Sequence, residues 1–206
     1  MRFRSTVIPA ALLSAVLVLT GCGGDSQTPG HDMGSTNKNT ATPSMIATPA
    51  AGEHNAADIA FATNMIPHHA QAIEMSDMAA EQAHNAEVKE LASKIKAAQA
   101  PEINQMSGWL TGWGEPVPDT SMSGGGMGMD GDMMTEEEMS ALHEASGTDF
   151  DRMWLEMMIK HHQGAVAMAT TELKSGSNAD AKDLAQNIIT SQKAEIEEMQ
   201  QLRGGG

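Results

Sequence analysis

The sequence has little of several residue types on which many proteins depend. Among 206 residues there are one cysteine, no tyrosine and three phenylalanines. A single cysteine allows no intramolecular disulfide and no thiolate cluster of the zinc-finger kind. Lysine and arginine number 12 against 27 aspartates and glutamates, which gives a formal net charge of −15. Because nucleic-acid binding depends on clustered Lys and Arg, we expect no nucleic acid as a partner.

Methionine, in contrast, is abundant, with 18 copies. Methionine often fills gaps in a protein core, but several copies stand in a glycine-rich segment that offers no core to fill. These are Met122, Met127, Met129, Met133 and Met134. Thioether sulfur is a soft metal ligand that avoids the disulfide chemistry of cysteine. We weigh metal binding by these methionines equally against drift of a low-complexity segment.

The chain begins with the features of an export signal, residues 1–21. Two arginines precede an apolar run over residues 7–19, which is too short for a membrane-spanning helix with this flank. The run ends in Leu-Thr-Gly-Cys, which resembles the bacterial lipoprotein box and makes Cys22 the expected lipidation site. We therefore predict an exported protein, lipid-anchored to the cell membrane on its extracytoplasmic side. A plain signal peptide with a chance cysteine is the alternative.

Composition and periodicity divide the rest of the chain. Residues 22–54 are rich in small polar residues, Gly and Pro, which is typical of a flexible tether. Apolar residues at helical spacing predict one helical hairpin over residues 55–110 and another over residues 149–203. Residues 111–148 between them form a Met- and Gly-rich linker with one short helix. We expect residues 55–203 to form one domain.

Capping residues and prolines mark the predicted helices. Gly176 is expected to end the long helix of the second hairpin, and residues 84–85 break the first. Pro67 and Pro101 fall inside predicted helices, where each is expected to cause a kink. The predicted N-caps are Asn55, Thr135, Asp149 or its neighbour, and Ser177 or Asn178.

The two predicted hairpins align with each other without a gap, because His161 lies 93 residues after His68. Over 52 aligned pairs, from Asp58 with Asp151 onward, 17 residues are identical. This agreement indicates an internal duplication. Two helix–turn–helix units bury their apolar stripes best against each other. The predicted fold is therefore all-α, an antiparallel four-helix bundle made of two duplicated helical hairpins.

Each hairpin carries two adjacent histidines in its first helix. These two helices are expected to approach each other, which brings His68 and His69 near His161 and His162. Adjacent helical residues point about 100° apart, so each histidine belongs to a different stripe of the helix. Histidine and methionine together form a soft set that favours Cu(I), accepts Cu(II) through imidazole and does not suit Mg²⁺ or Ca²⁺. We therefore predict copper as the partner ion, at more than one position. The predicted ligands are Met65, His68, His69, Met75, Met157, Met158, His161, His162 and Met168.

Other roles for these residue types were weighed against copper. Met106 and Met199 lie far along the second helices and are assigned to the core. The recurring pairs Gln99/Gln192 and Glu102/Glu195 are expected to make hydrogen bonds between helices. A non-metal envelope interaction module, in which His and Met only pack the bundle, is one alternative function.

A ferritin-like metal or oxygen redox enzyme is the other alternative. A di-iron site of that kind needs Glu-x-x-His on each of two helices. Glu81 and His84 fit this spacing once, but the equivalent residues 174–177 do not. Since no hydrolase or nucleotide-binding motif is present either, we do not expect an enzyme.

Residues 65–75 and 150–168, with their two His-His motifs, resemble domain-of-unknown-function family 305. The resemblance covers residues 55–202. It implies a ferritin-like four-helix bundle that is exported, with copper-binding members that contribute to copper tolerance. The ligands that it implies are Met65, His68, His69, Met75, Met158, His161, His162 and Met168. We therefore expect a membrane-anchored protein that sequesters copper, confers tolerance to it or transfers it.

Overall fold

The protein is described from a computed structural model, which covers residues 52–120 and 133–204. Within these ranges the chain is all-helical, as predicted, and forms no strand. The helices are α1 (Ala56–Gln82), α2 (Ala86–Trp113), α3 (Glu136–Glu144), α4 (Gly147–Ser175) and α5 (Ala179–Gly204). None of them combines the length and the apolar character that crossing a membrane requires. Cys22 and the linker residues Met122, Met127 and Met129 lie outside the described residues.

Side-chain caps begin three of the helices where the sequence predicts them. At α1, the Asn55 side chain accepts hydrogen bonds from the backbone while the Asp58 carboxylate accepts one from the Asn55 N–H, at 2.6 Å. Thr135 and its third residue, Glu138, form the same reciprocal box at α3. Asn178 caps α5 by accepting a hydrogen bond from the backbone of residue 181 at 3.0 Å. Polar residues at these ends pair with N–H groups that have no partner within the helix.

The start of α4 differs from the prediction at Asp149. The helix begins two residues earlier, at Gly147, and its N-cap Ser146 makes no side-chain capping bond. Gly147 has φ 61°, a left-handed conformation that glycine adopts without strain, and this lets the chain turn directly from α3 into α4. Asp149 consequently lies in the first turn of the helix, where its negative charge interacts favourably with the positive end of the helix dipole. Both Pro67 and Pro101 lie inside continuous helices.

The helices pack in pairs, α1 along α2 and α4 along α5, and the two pairs meet mainly where α1 contacts α4. Buried apolar residues form two clusters. The first contains Met75 and Trp154, and the second contains Phe61 and Ala165. Along α1 the second cluster precedes the histidines and the first follows them, whereas along α4 the order is reversed. The histidines of both helices therefore lie between two apolar clusters.

Two buried aspartates, one in each hairpin, form hydrogen bonds with the turn of the other hairpin. The Asp58 carboxylate accepts hydrogen bonds from the backbone N–H groups of Ser177 and Asn178, at 3.1 and 2.9 Å. The Asp151 carboxylate accepts the same bonds from residues 84–85, both at 2.9 Å. All these positions are equivalent in the 93-residue repeat. These reciprocal bonds hold α1 beside α4 and so position the histidines that the two helices carry.

Candidate metal site

The four histidines of the repeat are buried where α1 meets α4. His68 and His69 come from α1, and His161 and His162 come from α4, and none is more than 1% exposed. The ring centroids of His68 and His161 are 3.6 Å apart, with the rings inclined by 34°. The rings of His161 and His162 lie further apart, at 6.4 Å. The expectation that the two hairpins bring their histidines together is confirmed, and these four side chains are called the histidine layer below.

The outer histidine of each pair is bonded to a glutamate of the same hairpin. His69 Nε2 lies 2.7 Å from Glu102 Oε2, and His162 Nε2 lies 2.8 Å from Glu195 Oε2. Glu102 is on α2 and Glu195 is on α5, so each bond crosses between the helices of one hairpin. The predicted inter-helix hydrogen bonds are confirmed for these glutamates, although their histidine partners were not predicted. For Gln99 the same prediction is wrong, because both polar atoms of its side chain are buried without a partner among the described residues.

Most ring nitrogens of the histidine layer have no hydrogen-bond partner. Both nitrogens of His68 and of His161 are buried without one, as is Nδ1 of His69 and of His162. A buried polar atom without a partner costs about 1–3 kcal/mol. Because six such nitrogens lie in one layer, the layer is destabilising unless a ligand engages it. Imidazole nitrogen is a good donor to copper ions, so the residues fit such an ion.

The electrostatic environment keeps the two central rings neutral. Burial lowers the pKa of His68 and of His161 well below the usual 6.5, because a charged ring would lose its hydration. The neighbouring histidines lower it further by repulsion. Both rings therefore keep their lone pairs at neutral pH, as metal binding requires.

The methionines predicted as ligands lie on both sides of the histidine layer. Met75, Met157 and Met158 belong to the first apolar cluster, and Met65 to the second, with Met168 partly buried against it. The structure thus brings thioether groups to the clusters that flank the histidines. These side chains also pack the core, and their assignment as ligands stays a prediction.

The sequence and this geometry agree with known proteins. The model of the family described as "Domain of unknown function (DUF305)" matches residues 58–203. The chain belongs to the DUF305 family.

Solved structures resemble this DUF305 chain over most of their length. CopM in its Cu(I)-bound form is 36% identical, covers 72% of this chain and 96% of its own, and superposes with a TM-score of 0.60. A candidate secreted DUF305 protein from Streptomyces coelicolor is 36% identical over 72% of this chain and 94% of its own, with a TM-score of 0.65. A DUF305 fragment from Deinococcus radiodurans is 28% identical over 74% and 98%, with a TM-score of 0.66. No match was found among the curated proteins.

Among the described residues, His, Cys, Asp and Glu side chains alone do not form a metal site. In residues 52–120 and 133–204, no three His, Cys, Asp or Glu side chains are placed so that they hold one ion. An ion bound between His68 and His161 therefore needs donors of another kind, and the flanking clusters supply methionine thioether. Glu81 and His84, which match half of a di-iron motif, are both exposed and do not join the histidine layer.

One residue that borders the site was missed by sequence reasoning. Gln71, one turn after His68, is fully buried and binds the backbone of Met134 in both directions, at 2.8 Å each. Met134 in turn packs in the first apolar cluster, 2% exposed. These bonds hold the segment before α3 against α1. The repeat offered no signal, because the residue equivalent to Gln71 is Gly164.

Proposed function

We propose that this DUF305 protein binds copper as a cargo ion in its histidine layer. The observation that carries the proposal is the set of buried imidazole nitrogens without hydrogen-bond partners. They come from both hairpins and remain neutral in the two central rings. CopM, a relative 36–37% identical, has been solved with Cu(I) and with Cu(II) bound. The proposed ligands are His68, His69, His161 and His162, with Met65, Met75, Met157, Met158 and Met168 as the thioether donors.

The donor set favours Cu(I) and accepts Cu(II). Thioether sulfur prefers the soft Cu(I) ion, while imidazole binds both oxidation states. CopM has also been solved with silver bound, and Ag⁺ is a soft ion like Cu(I). The histidines of the layer are at most 1% exposed. A bound ion would therefore be shielded from water, which suits sequestration.

We further propose the architecture and location in which this binding operates. The helices α1, α2, α4 and α5 form an antiparallel four-helix bundle of two duplicated hairpins. A lipid on Cys22 holds the bundle on the extracytoplasmic side of the membrane, where the protein sequesters copper or passes it on. Support for export comes from the signal-like N-terminus and from the candidate secreted relative in Streptomyces coelicolor. The mass of the mature N-terminus, with or without an acyl chain, tests the anchor.

Titration with Cu(I) against a competing chelator tests the copper site. We compare the mature wild-type protein with a variant in which all four histidines of the layer are changed to Ala. The matched control is His84→Ala with His143→Ala, which removes two exposed histidines. The proposal predicts wild-type affinity in the control and loss of high-affinity binding in the quadruple variant. Equal affinity in all three proteins, with circular dichroism showing them folded, would reject the site.

A further inference from the structure

Glu102 and Glu195 each form a hydrogen bond with Nε2 of one histidine of the layer, His69 or His162, and leave its Nδ1 without a partner. We infer that these two glutamates are positioning residues, which hold His69 and His162 in the Nε2–H tautomer and leave Nδ1 of each ring as the donor to a bound ion. The inference rests on the proposed copper function and deepens it by naming the donor atoms.

The hydrogen-bond chemistry assigns the tautomer. An ionised carboxylate only accepts hydrogen bonds, so the ring nitrogen bonded to it must carry the hydrogen. In His69 and in His162 that nitrogen is Nε2, at 2.7 and 2.8 Å from the carboxylate oxygen. In a neutral imidazole the other nitrogen, Nδ1, then holds a free lone pair.

The surroundings leave that lone pair available. Nδ1 of His69 and Nδ1 of His162 are buried and have no hydrogen-bond partner among the described residues. The same bond occurs in both hairpins, at positions 93 residues apart. This recurrence argues against a chance contact. Histidines that bind metals commonly donate their second ring N–H to a carboxylate, which fixes the ring and makes it more basic.

The central rings differ from these fixed rings. His68 and His161 have no hydrogen-bonded carboxylate on either nitrogen, so no glutamate selects a tautomer for them. The histidine layer thus contains two rings whose tautomer is fixed by a carboxylate, and two rings in which either nitrogen can bind a metal. Glu102 and Glu195 remain 20% and 17% exposed, which places them at the outer edge of the layer.

Nuclear magnetic resonance of the full mature protein with ¹⁵N-labelled histidine reads the donor atoms directly. Ag⁺ serves as the probe because it is diamagnetic and its nuclear spin couples to a bound nitrogen. Without metal, we expect Nε2 of His69 and of His162 to be protonated. With Ag⁺, we expect Nδ1 of both rings to shift and to show coupling to silver while Nε2 keeps its hydrogen.

Variants separate positioning from packing. Glu102→Ala combined with Glu195→Ala should mix the tautomers of both rings and weaken Cu(I) binding about 10–100-fold. Glu102→Gln with Glu195→Gln retains an acceptor oxygen and should restore part of the affinity. The matched control is Glu197→Ala on α5, an exposed residue whose loss should change neither the tautomers nor the affinity.

The outcomes distinguish this inference from the proposed function. Silver bound through Nε2 of His69 and His162, or bound only by His68 and His161, would overturn the positioning role while leaving the copper site in place. Silver that perturbs no histidine of the layer would overturn both. Because the wild-type spectra alone decide between these results, the test holds even where an alanine variant fails to fold.

Discussion

Glu172 on α4 and Asp58 on α1 form a buried carboxyl pair, and both carboxyl groups lie beside Gly176. Burial, together with the hydrogen bond and the charge of Asp58, raises the pKa of Glu172 to about 8. Burial alone would also raise the pKa of Asp58, but hydrogen bonds from Glu172 and from three backbone N–H groups outweigh it and lower the pKa to about 2. The pair joins the start of α1 to the end of α4, beside the turn that Asp58 binds.

This pair predicts how stability depends on pH in mildly alkaline solution. Between its ordinary pKa of 4.5 and about 8, Glu172 holds a proton in the folded state that the unfolded state has released. The free energy of unfolding therefore falls as pH rises across this window. Above pH 7 His68 and His161 are mostly neutral in both states, because the ordinary pKa of histidine is 6.5, so Glu172 dominates the slope from there to pH 8.

Urea unfolding at pH 6.5, 7.0, 7.5 and 8.0 measures this slope. From pH 7.0 to 8.0 the wild-type protein should lose stability, whereas the stability of Glu172→Gln, which cannot ionise at this position, should not fall. At pH 6.5 protonation of His68 and His161 in the unfolded chain offsets the effect of Glu172. A wild-type protein whose stability is flat or increases toward pH 8 would show that the carboxyl of Glu172 is ionised in the folded state.

Acid solution should reveal the neutral central histidines. The folded protein keeps His68 and His161 uncharged, while the unfolded chain protonates them below about pH 6.5, so stability falls as the pH is lowered from 6.5 to 5. In wild type the proton held by Glu172 offsets part of this loss. The loss should therefore be steeper in Glu172→Gln than in wild type. Equal slopes in the two proteins would contradict the protonated glutamate. A Glu172→Gln protein whose stability does not fall between pH 6.5 and 5 would contradict the neutral histidines.

The Glu172 side chain occupies the space that a side chain at position 176 would need, so we predict that this position must be glycine. Its φ of −70° suits any residue, so backbone strain does not select glycine here. A Cβ atom at this position, however, would overlap the Glu172 carboxyl group and crowd Asp58. We expect Gly176→Ala to destabilise the protein by about 1–3 kcal/mol, as overpacking commonly does.

A double variant tests the steric cause of this effect, and a substitution at a second glycine serves as its control. Truncating the neighbour in Glu172→Ala should remove most of the cost of Gly176→Ala, a coupling that a double-mutant cycle of urea unfolding measures. Gly108→Ala, inside α2 where an added Cβ meets nothing within 4 Å, should instead stabilise by about 0.5–1 kcal/mol. Additive effects of the two changes at 172 and 176 would disprove the steric account.

Gln71 is predicted to hold the segment before α3 in place. Gln71→Ala leaves the buried N–H and C=O of Met134 without their side-chain partner, which should cost about 1–3 kcal/mol. Hydrogen exchange of the amides in α3 should become faster, while exchange in α5 stays unchanged. Gln105→Ala, at an exposed position on α2, is the control. Protection of α3 that is equal in all three proteins would show that Gln71 does not anchor it.

The features that sequence predicted well are those that depend on local chemistry or on the repeat. The caps at Asn55 and Thr135 follow from residues within one helical turn. The approach of His68 to His161 follows from duplication, because two equivalent hairpins bury equivalent faces against each other.

The features that were missed depend on contacts between positions that the repeat does not share. Glu172 corresponds to Ala79 in the first hairpin, so alignment of the two halves carried no signal of the carboxyl pair. The beginning of α4 at Gly147 was missed because its conformation is set by the turn from α3 rather than by a capping side chain. The sequence predicted that Glu102 makes a hydrogen bond between helices. Its partner, His69, is set by the packing of α1 on α2, which the sequence does not give.

The proposed copper site lies inside the histidine layer, between α1 and α4. A crystal structure of the Cu(I)-loaded mature protein, with anomalous diffraction recorded at the copper absorption edge, locates the metal directly. We expect an anomalous peak within bonding distance of ring nitrogens of His68 and His161, with methionine sulfur nearby. Copper peaks confined to the surface, beside a histidine layer that holds no metal, would contradict it.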